Sequence, residues 1–217
     1  MRLAHSLLEK PIEFVEDRIN VLVVENKRIC AQLIGELISG EGFVLSENGD
    51  EIRSDRIDVV TDVFRLDVNS RKNIGRLASA LADAAYEEEN YQETCRICSE
   101  IIGYAVNVAE HIDYNVDFSE ISVQDIFKLC SVRFLQDGSC LSEKIIDYIK
   151  IMTNIAGIKL FVFAGLRNFI DENELELLYQ DITFNKYNVL LIETQAPAVA
   201  IKKEKIKIID EDLCEIT

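Results

Sequence analysis

The chain has 217 residues, of which 48% are hydrophobic and 29% charged, and its formal net charge at pH 7 is −16. This hydrophobic fraction is sufficient for the core of one domain, or of one domain with a large insertion. No run of 18 apolar residues occurs, which argues against a membrane span, and the first residues lack a signal-peptide pattern. We therefore expect a cytoplasmic protein.

The negative charge is concentrated in one segment. Between Asp83 and Asp125 there are eleven acidic residues and a single basic one, Arg96. The bulk charge argues against binding to nucleic acid, because phosphates repel an acidic surface. The rest of the chain is only mildly acidic, so the sequence is still compatible with a basic surface elsewhere.

The beginning of the chain has the pattern of an α/β fold. Residues 19–24 form a run that is apolar except for Asn20 and mostly β-branched, which predicts a strand buried on both faces. Shorter strands are predicted at residues 42–46 and 57–61, with a turn at residues 47–50. Between the first two strands, a helix is predicted with one apolar face formed by Ile29, Leu33, Ile34, Leu37 and Ile38.

The middle of the chain, from about residue 70 to 156, has helical periodicity. One predicted apolar face consists of Ile74, Leu77, Ala78, Leu81 and Ala85. A second consists of Ile97, Ile101, Ala105, Val108 and Ile112. A shorter helix is predicted to start at Ser122, with Asp125 as its capping partner, and a last helix carries Ile145 and Ile149. Such amphipathic helices pack against each other or against partner subunits.

The α/β pattern then returns. Strands are predicted at residues 158–163 and 189–192, and Asp171 is predicted to cap a helix between them. The alternation at residues 205–209 predicts an edge strand. We interpret the nearby lysines as protection of that edge against pairing with other chains: Lys202, Lys203, Lys205 and Lys207.

These patterns together predict an α/β fold with a mostly parallel sheet. Residues 1–66 and 157–217 are predicted to form a discontinuous α/β head domain. Residues 67–156 are predicted to form an inserted α-helical domain.

Catalytic motifs are not apparent in the sequence. The segment after the first buried strand has no glycine, whereas a phosphate-binding loop needs glycines whose backbone amides surround the phosphates. The G-x-x-x-x-G at Gly35 and Gly40 is followed by Glu41 in place of lysine, and it ends a helix. The two histidines belong to no recognisable triad. We therefore predict no catalytic residue and no enzymatic activity.

One acidic pattern points to a metal ion. Asp113, Asn115 and Asp117 alternate along the chain, and Glu120 follows. Oxygen ligands at alternate positions suit calcium, which takes six to eight of them. The alternative is a solvated acidic turn between two helices, because the sixth and twelfth positions do not fit an EF-hand.

Basic residues lie around the predicted helices of the middle segment. Arg71, Lys72 and Arg76 are near the start of the first long helix, and Lys128 and Arg133 are around the short one. This spacing is typical of a solvated helix face. It would contact DNA only if oligomerisation collected the charges around a channel.

Four segments resemble a known family. They are Leu7–Ile12, Val60–Asp62 followed by Asp67–Ser70, Glu120–Lys128 followed by Val132 and Arg133, and Ile209–Leu213. In their order and spacing, over essentially the whole chain, they resemble the short Csn2 family of type II-A CRISPR adaptation proteins.

The resemblance implies a head related to P-loop ATPases but lacking a nucleotide site, with an inserted helical leg domain. It implies a ring-shaped homotetramer that binds double-stranded DNA ends through a basic central hole and is stabilised by calcium. The implied role is spacer acquisition, beside the CRISPR integrase and the guide nuclease.

The same resemblance assigns candidate residues. The calcium region falls on Asp113, Asn115, Asp117 and Glu120, and the DNA-lining positions fall on Lys128, Arg133 and Arg76. Arg71 and Lys72 are also DNA-binding candidates, because they lie at the predicted start of the first long helix. The family usually has a carboxylate where this chain has Asn115, and fewer carboxylates weaken calcium binding.

Two other classes of function remain as alternatives. A diverged NTPase or nuclease would show ATP turnover or metal-dependent DNA cleavage. The other is a calcium-dependent scaffold that binds only proteins. If glutamate at Lys128 and Arg133 left DNA binding intact, that result would favour the scaffold or move the DNA face elsewhere.

Overall fold

The computed structural model describes residues 1–136, 138, 140–197 and 201–216. The strands are β1 (Arg2–Ala4), β2 (Ile12–Glu13), β3 (Ile19–Val24), β4 (Val44–Glu47), β5 (Asp50–Ile52), β6 (Ile57–Val60), β7 (Leu160–Ala164), β8 (Val189–Glu193), β9 (Glu204–Ile209) and β10 (Glu215–Ile216). The α-helices are α1 (Lys27–Ser39), α2 (Arg71–Ala85), α3 (Glu88–Ala109), α4 (Val123–Leu129), α5 (Leu141–Ile151) and α6 (Glu172–Phe184).

The chain divides into two compact units. Unit 1 consists of Met1–Asp67 and Gln136–Thr217, and unit 2 consists of Val68–Leu135. The helix α5, which the sequence analysis placed in the inserted helical domain, falls in unit 1. Its buried residues Ile145 and Ile149 give it an apolar face of the same kind as the other helices, so sequence alone does not separate it from unit 2.

Unit 1 is built on a six-stranded sheet with the order β10-β9-β3-β8-β7-β6. The strands β9, β3, β8, β7 and β6 run parallel to their neighbours, and only β10 is antiparallel. All six residues of β3 are buried, as expected for a central strand with elements packed on both faces. The prediction of a mixed α/β fold with a mostly parallel sheet is therefore confirmed.

Helices cover both faces of this sheet. On one face, Leu33 of α1 packs into a core cluster with Leu22 and Val162. On the other, the ring of Tyr148 in α5 meets the ring of Phe161 edge to face, with 6.4 Å between centroids. Because successive side chains of a strand point to opposite faces, Phe161 and Val162 place α1 and α5 on opposite sides.

A second, antiparallel sheet of four strands has the order β2-β1-β4-β5. Leu3 of β1 and Leu45 of β4 belong to the same core cluster as α1. The sequence predicts β4 but not β1 or β2, since strands of two or three residues are too short to show alternation.

The prediction of an edge strand at residues 205–209 is wrong. This segment is β9, which lies between β3 and β10, and β10 pairs with Ile208 and Ile209. Lys207 is only 9% exposed, and its ammonium group is bonded to the carboxylate of Glu215 and, at 3.1 Å, to the carbonyl oxygen of Lys10. Lys207 is therefore a structural residue of the folded unit.

The helix ends show which sequence signals were informative. Asp171 caps α6 as predicted, because its carboxylate accepts hydrogen bonds from the amides of Asn173 and Glu174, both at 2.9 Å. The predicted side-chain cap at Ser122 is not formed.

Two further observations concern the faces and lengths of the helices. Ile38, predicted on the apolar face of α1, is 62% exposed. None of the described helices is long and apolar enough to span a membrane.

Candidate nucleic-acid interface

All the basic residues proposed to contact DNA lie in unit 2, so its packing decides where they point. Ala78 of α2 and Val123 of α4 are buried between the helices. The side-chain amide of Gln124 donates hydrogen bonds to the hydroxyl of Ser79 at 2.7 Å and to the carbonyl oxygen of Gly75 at 3.3 Å. The start of α4 is therefore fixed beside the middle of α2.

The chain after α4 runs back towards the beginning of α2. The Asn69 side chain donates to the carbonyl oxygen of Phe134 at 3.1 Å, and the Phe134 amide donates to the Asn69 side-chain oxygen at 2.8 Å. Arg133 precedes Phe134, and Arg71 follows Asn69 by two residues. These hydrogen bonds place Arg133 at the same end of unit 2 as the first turn of α2.

That first turn carries an unusual charge arrangement. Arg71 and Lys72 are both exposed, the turn contains no acidic residue, and neither cation has an ion-pair or hydrogen-bond partner among the described residues. Cations are disfavoured at a helix N-terminus, where the unpaired backbone amides carry partial positive charge. An anion bound there would be attracted by the side chains and by the helix end together.

The other two basic candidates differ in how available their charge is. Arg76 is partly exposed and has no partner among the described residues. Lys128 lies in the last turn of α4, and its ammonium group is 2.9 Å from the carboxylate of Asp125. The spacing of three residues between Asp125 and Lys128 is a sequence signal for this ion pair, although the pair was not among our predictions. An exposed pair of this kind is weak, so a phosphate could compete for Lys128.

The candidate calcium ligands are not brought together. Asp113, Asn115, Asp117 and Glu120 are all exposed, in a segment without helix or strand. Across the described parts of the chain, no group of three or more His, Cys, Asp or Glu side chains is arranged to hold a metal ion. The arrangement therefore does not fit a calcium site, which requires six to eight oxygen atoms around one point.

The predicted apolar face of α3 is exposed to solvent. None of the described residues of this helix is buried, and Tyr104 is 72% exposed. Ile97, Ile101, Tyr104 and Val108 recur at spacings of three and four residues and are all exposed, so they form one stripe, which we call the α3 stripe. The sequence predicts this face through Ile97, Ile101 and Val108 but does not include Tyr104 in it.

The polar side of α3 is acidic. Arg96 is the one basic residue of that region, and its guanidinium group bonds to the carboxylates of both Glu93 and Glu100. The hydrogen bond from Arg96 lowers the pKa of Glu93. Arg96 is thus occupied within its own helix, and this surface would repel phosphate.

At the carboxyl end of β3, where a phosphate-binding loop would lie, the first turn of α1 is capped by its own chain. The side-chain oxygen of Asn26 accepts hydrogen bonds from the amides of Arg28 at 3.1 Å and Ile29 at 3.2 Å. These are amides that a phosphate would otherwise use. No glycine is present in this turn to let a phosphate approach the backbone.

Comparison with known proteins identifies the family. A family model described as CRISPR-associated protein (Cas_Csn2) matches residues 38–213. The chain is also similar to the CRISPR-associated protein Csn2 of Enterococcus faecalis, with 25% identity over 205 residues that cover 89% of this chain and 90% of that protein. The matched region includes the carboxyl-terminal part of unit 1 and all of unit 2. The chain therefore belongs to the Csn2 family of CRISPR-associated proteins.

Proposed function

We propose that this protein acts in type II-A spacer acquisition as a ring-shaped homotetramer that binds double-stranded DNA ends through a basic central hole. It performs no catalytic step itself and works beside the CRISPR integrase and the guide nuclease. The observation that carries the proposal is the pair of cations without partners, Arg71 and Lys72, in the first turn of α2.

These cations suit contacts to the DNA backbone. Phosphate contacts carry no sequence information, so a protein that must accept any DNA end needs only such contacts. Arg133 lies at the same end of unit 2, and Arg76 is one turn further along α2. The acidic side of α3 would repel DNA from other approaches, which favours binding at the basic end.

The α3 stripe supports assembly into a homo-oligomer. The stripe places four large apolar side chains on one face of a helix of 22 residues. Covering them with a partner removes apolar surface from water, and this stabilises the assembly. A second copy of the chain offers the same stripe, and an interface of like surfaces is the commonest form of symmetric association.

For unit 1 we propose a P-loop-ATPase-like head without a nucleotide site, and for unit 2 the inserted leg. The parallel order of the sheet supports the first part. The cap of α1 by Asn26, in a turn without glycine, supports the loss of phosphate binding.

Calcium remains a prediction for Asp113, Asn115, Asp117 and Glu120. In the arrangement of the single chain these residues do not fit the ion, so binding would require the segment to be reorganised.

The test is DNA binding by a variant with Arg71→Glu and Lys72→Glu, measured by fluorescence anisotropy on linear and closed circular duplexes. We expect the unsubstituted protein to bind linear DNA only. The double variant should bind at least tenfold more weakly. The slope of log affinity against log salt should fall by about one for each phosphate that the variant no longer neutralises.

The matched control is Lys150→Glu with Lys202→Glu, which makes the same change in charge at two exposed lysines of unit 1. An equal loss of affinity in this control would contradict the assignment to α2. Equal binding to circular DNA would contradict binding at ends. ATP hydrolysis or DNA cleavage by the pure protein would contradict a purely binding role, and indifference to a calcium chelator would contradict the calcium prediction.

A further inference from the structure

Unit 1 contains a cavity of about 470 Å³ on the face of the large sheet that also carries α1. It lies beside the amino-terminal halves of β3 and β8, where Asn20 and Leu190 line it, and next to β2, where Ile12 lines it. Ligands of open parallel sheets usually bind at the opposite, carboxyl ends of the strands. The cavity is therefore separate from the position that a nucleotide would take.

The floor of the cavity is mostly apolar, and its one amide side chain is hydrogen-bonded. Ile12 and Leu190 are buried, and Asn20 is 3% exposed with its side-chain amide held by the carbonyl oxygen of Glu13 at 3.1 Å. Cavities of about 300–1,000 Å³ with such walls are typical of sites for small organic molecules.

The rim of the cavity is cationic. Lys10, Lys205 and Lys207 line it, and the charge of Lys207 is already balanced by Glu215. Lys10 and Lys205 are exposed, and among the described residues no ion-pair or hydrogen-bond partner exists for either ammonium group. Among the described residues of the lining, the one acidic side chain is that of Glu13, which is paired with Arg2 at 3.0 Å.

This charge distribution stands out in a chain with a net charge of −16. Within β9, Lys207 is paired with Glu215, whereas Lys205 has no partner among the described residues, so its charge is available to a ligand. An apolar floor beside two unbalanced cations matches a ligand that has an apolar body and a single anionic group.

We propose that this cavity is a binding site for an amphipathic organic anion of that kind. The apolar body lies over Ile12 and Leu190, and the anionic group is held by Lys10 and Lys205. Lys207 supports the site by tying the loop at Lys10 to β9 through its hydrogen bond to the Lys10 carbonyl oxygen.

The experiment is isothermal titration calorimetry of the full chain with octanoate, and with octanamide as its neutral counterpart. We expect octanoate to bind with one site per chain and octanamide to bind at least tenfold more weakly. Lys205→Glu and Lys10→Glu should each weaken octanoate binding at least tenfold. Both side chains are exposed, so we expect each variant to fold, and thermal unfolding monitored by circular dichroism is the check.

The control is Lys202→Glu, which makes the same change in charge close to β9 but outside the cavity, and it should bind octanoate like the unsubstituted protein. The proposal is overturned if neither Lys205→Glu nor Lys10→Glu changes octanoate affinity, or if Lys202→Glu weakens it equally. Equal affinity for octanamide and octanoate would also overturn it, as would an absence of octanoate binding. Since the site lies in unit 1, these results do not depend on DNA binding by unit 2.

Discussion

Glu193, the last residue of β8, is a carboxylate with only 5% of its surface exposed. It accepts a hydrogen bond from the amide of Arg167 at 3.1 Å. Burial raises the pKa of Glu193 above its ordinary value, and the hydrogen bond from Arg167 offsets only part of this rise. The folded state therefore binds a proton at Glu193 more tightly than the unfolded chain does.

This sign leads to a prediction about pH. The contribution of Glu193 to the stability of the fold is fully present below its pKa in the unfolded chain, 4.5. This contribution is lost as the pH rises through the raised pKa of the folded state. Glu193→Gln removes this titration and keeps the acceptor for Arg167. We expect the stability of the variant, relative to the unsubstituted protein, to increase as the pH is raised from 4 to 8 in urea unfolding experiments.

Glu211→Gln removes the same charge at an exposed side chain and controls for the loss of one negative charge. Parallel stability curves for Glu193→Gln and the unsubstituted protein would mean that Glu193 does not titrate in this range.

At the scale of residues, the interactions that could be predicted from the sequence are those between residues close together in the chain. The cap at Asp171 needs only the two amides that follow it, and it was found. The balance of Lys207 by Glu215 depends on the pairing of β9 with β10, and the link between Asn69 and Phe134 spans 65 residues. Neither can be deduced from local pattern.

Among the elements, α6 offers a clean test of a predicted helix end. Removing the Asp171 carboxylate leaves the amides of Asn173 and Glu174 without their acceptor. We expect Asp171→Ala to lower the free energy of unfolding by about 1 kcal/mol, measured by urea denaturation. Asp171→Asn keeps an acceptor oxygen and should cost much less; equal losses in both variants would attribute the effect to charge.

The length of an element decided whether sequence could find it. The strand β3 and the helices α1, α2, α3 and α6 have many periodic residues, and all were predicted. The strands β1, β2 and β10 have two or three residues each, so they show no pattern before the fold is known. The error about β9 follows directly from missing β10.

For the whole molecule, the α3 stripe predicts that assembly depends on this helix. We expect Ile101→Glu with Val108→Glu to reduce the oligomer to a smaller species in native mass spectrometry, because burying two carboxylates in an apolar interface is unfavourable. Ser99→Glu with Asn107→Glu adds the same charge on the other side of α3. An unchanged mass for the Ile101 and Val108 variant would show that the stripe is not an interface.

The strand patterns before and after the helical segment complement each other in the sequence, and unit 1 consists of two separate stretches of the chain. In the structure, β6 pairs with β7 across the whole of unit 2. A site formed by several copies of the chain, such as the proposed central hole, is not encoded in the periodicity of one chain. The resemblance adds the tetramer and its hole, whereas the alternating oxygen ligands at Asp113, Asn115 and Asp117 are already visible as a pattern in the sequence.

The place of β3 in its sheet has a consequence for synthesis on the ribosome. Its partners are β8 and β9, and Asn20 pairs with Leu190, so the strand leaves the exit tunnel long before either partner has been translated. Its apolar, β-branched sequence is of the kind that associates with other extended chains when left unpaired. Unit 2 is fully translated before β8 and β9, so it can fold while β3 is still unpaired. We therefore expect nascent chains stalled before residue 189 to recruit chaperones through the segment that later forms the centre of the sheet.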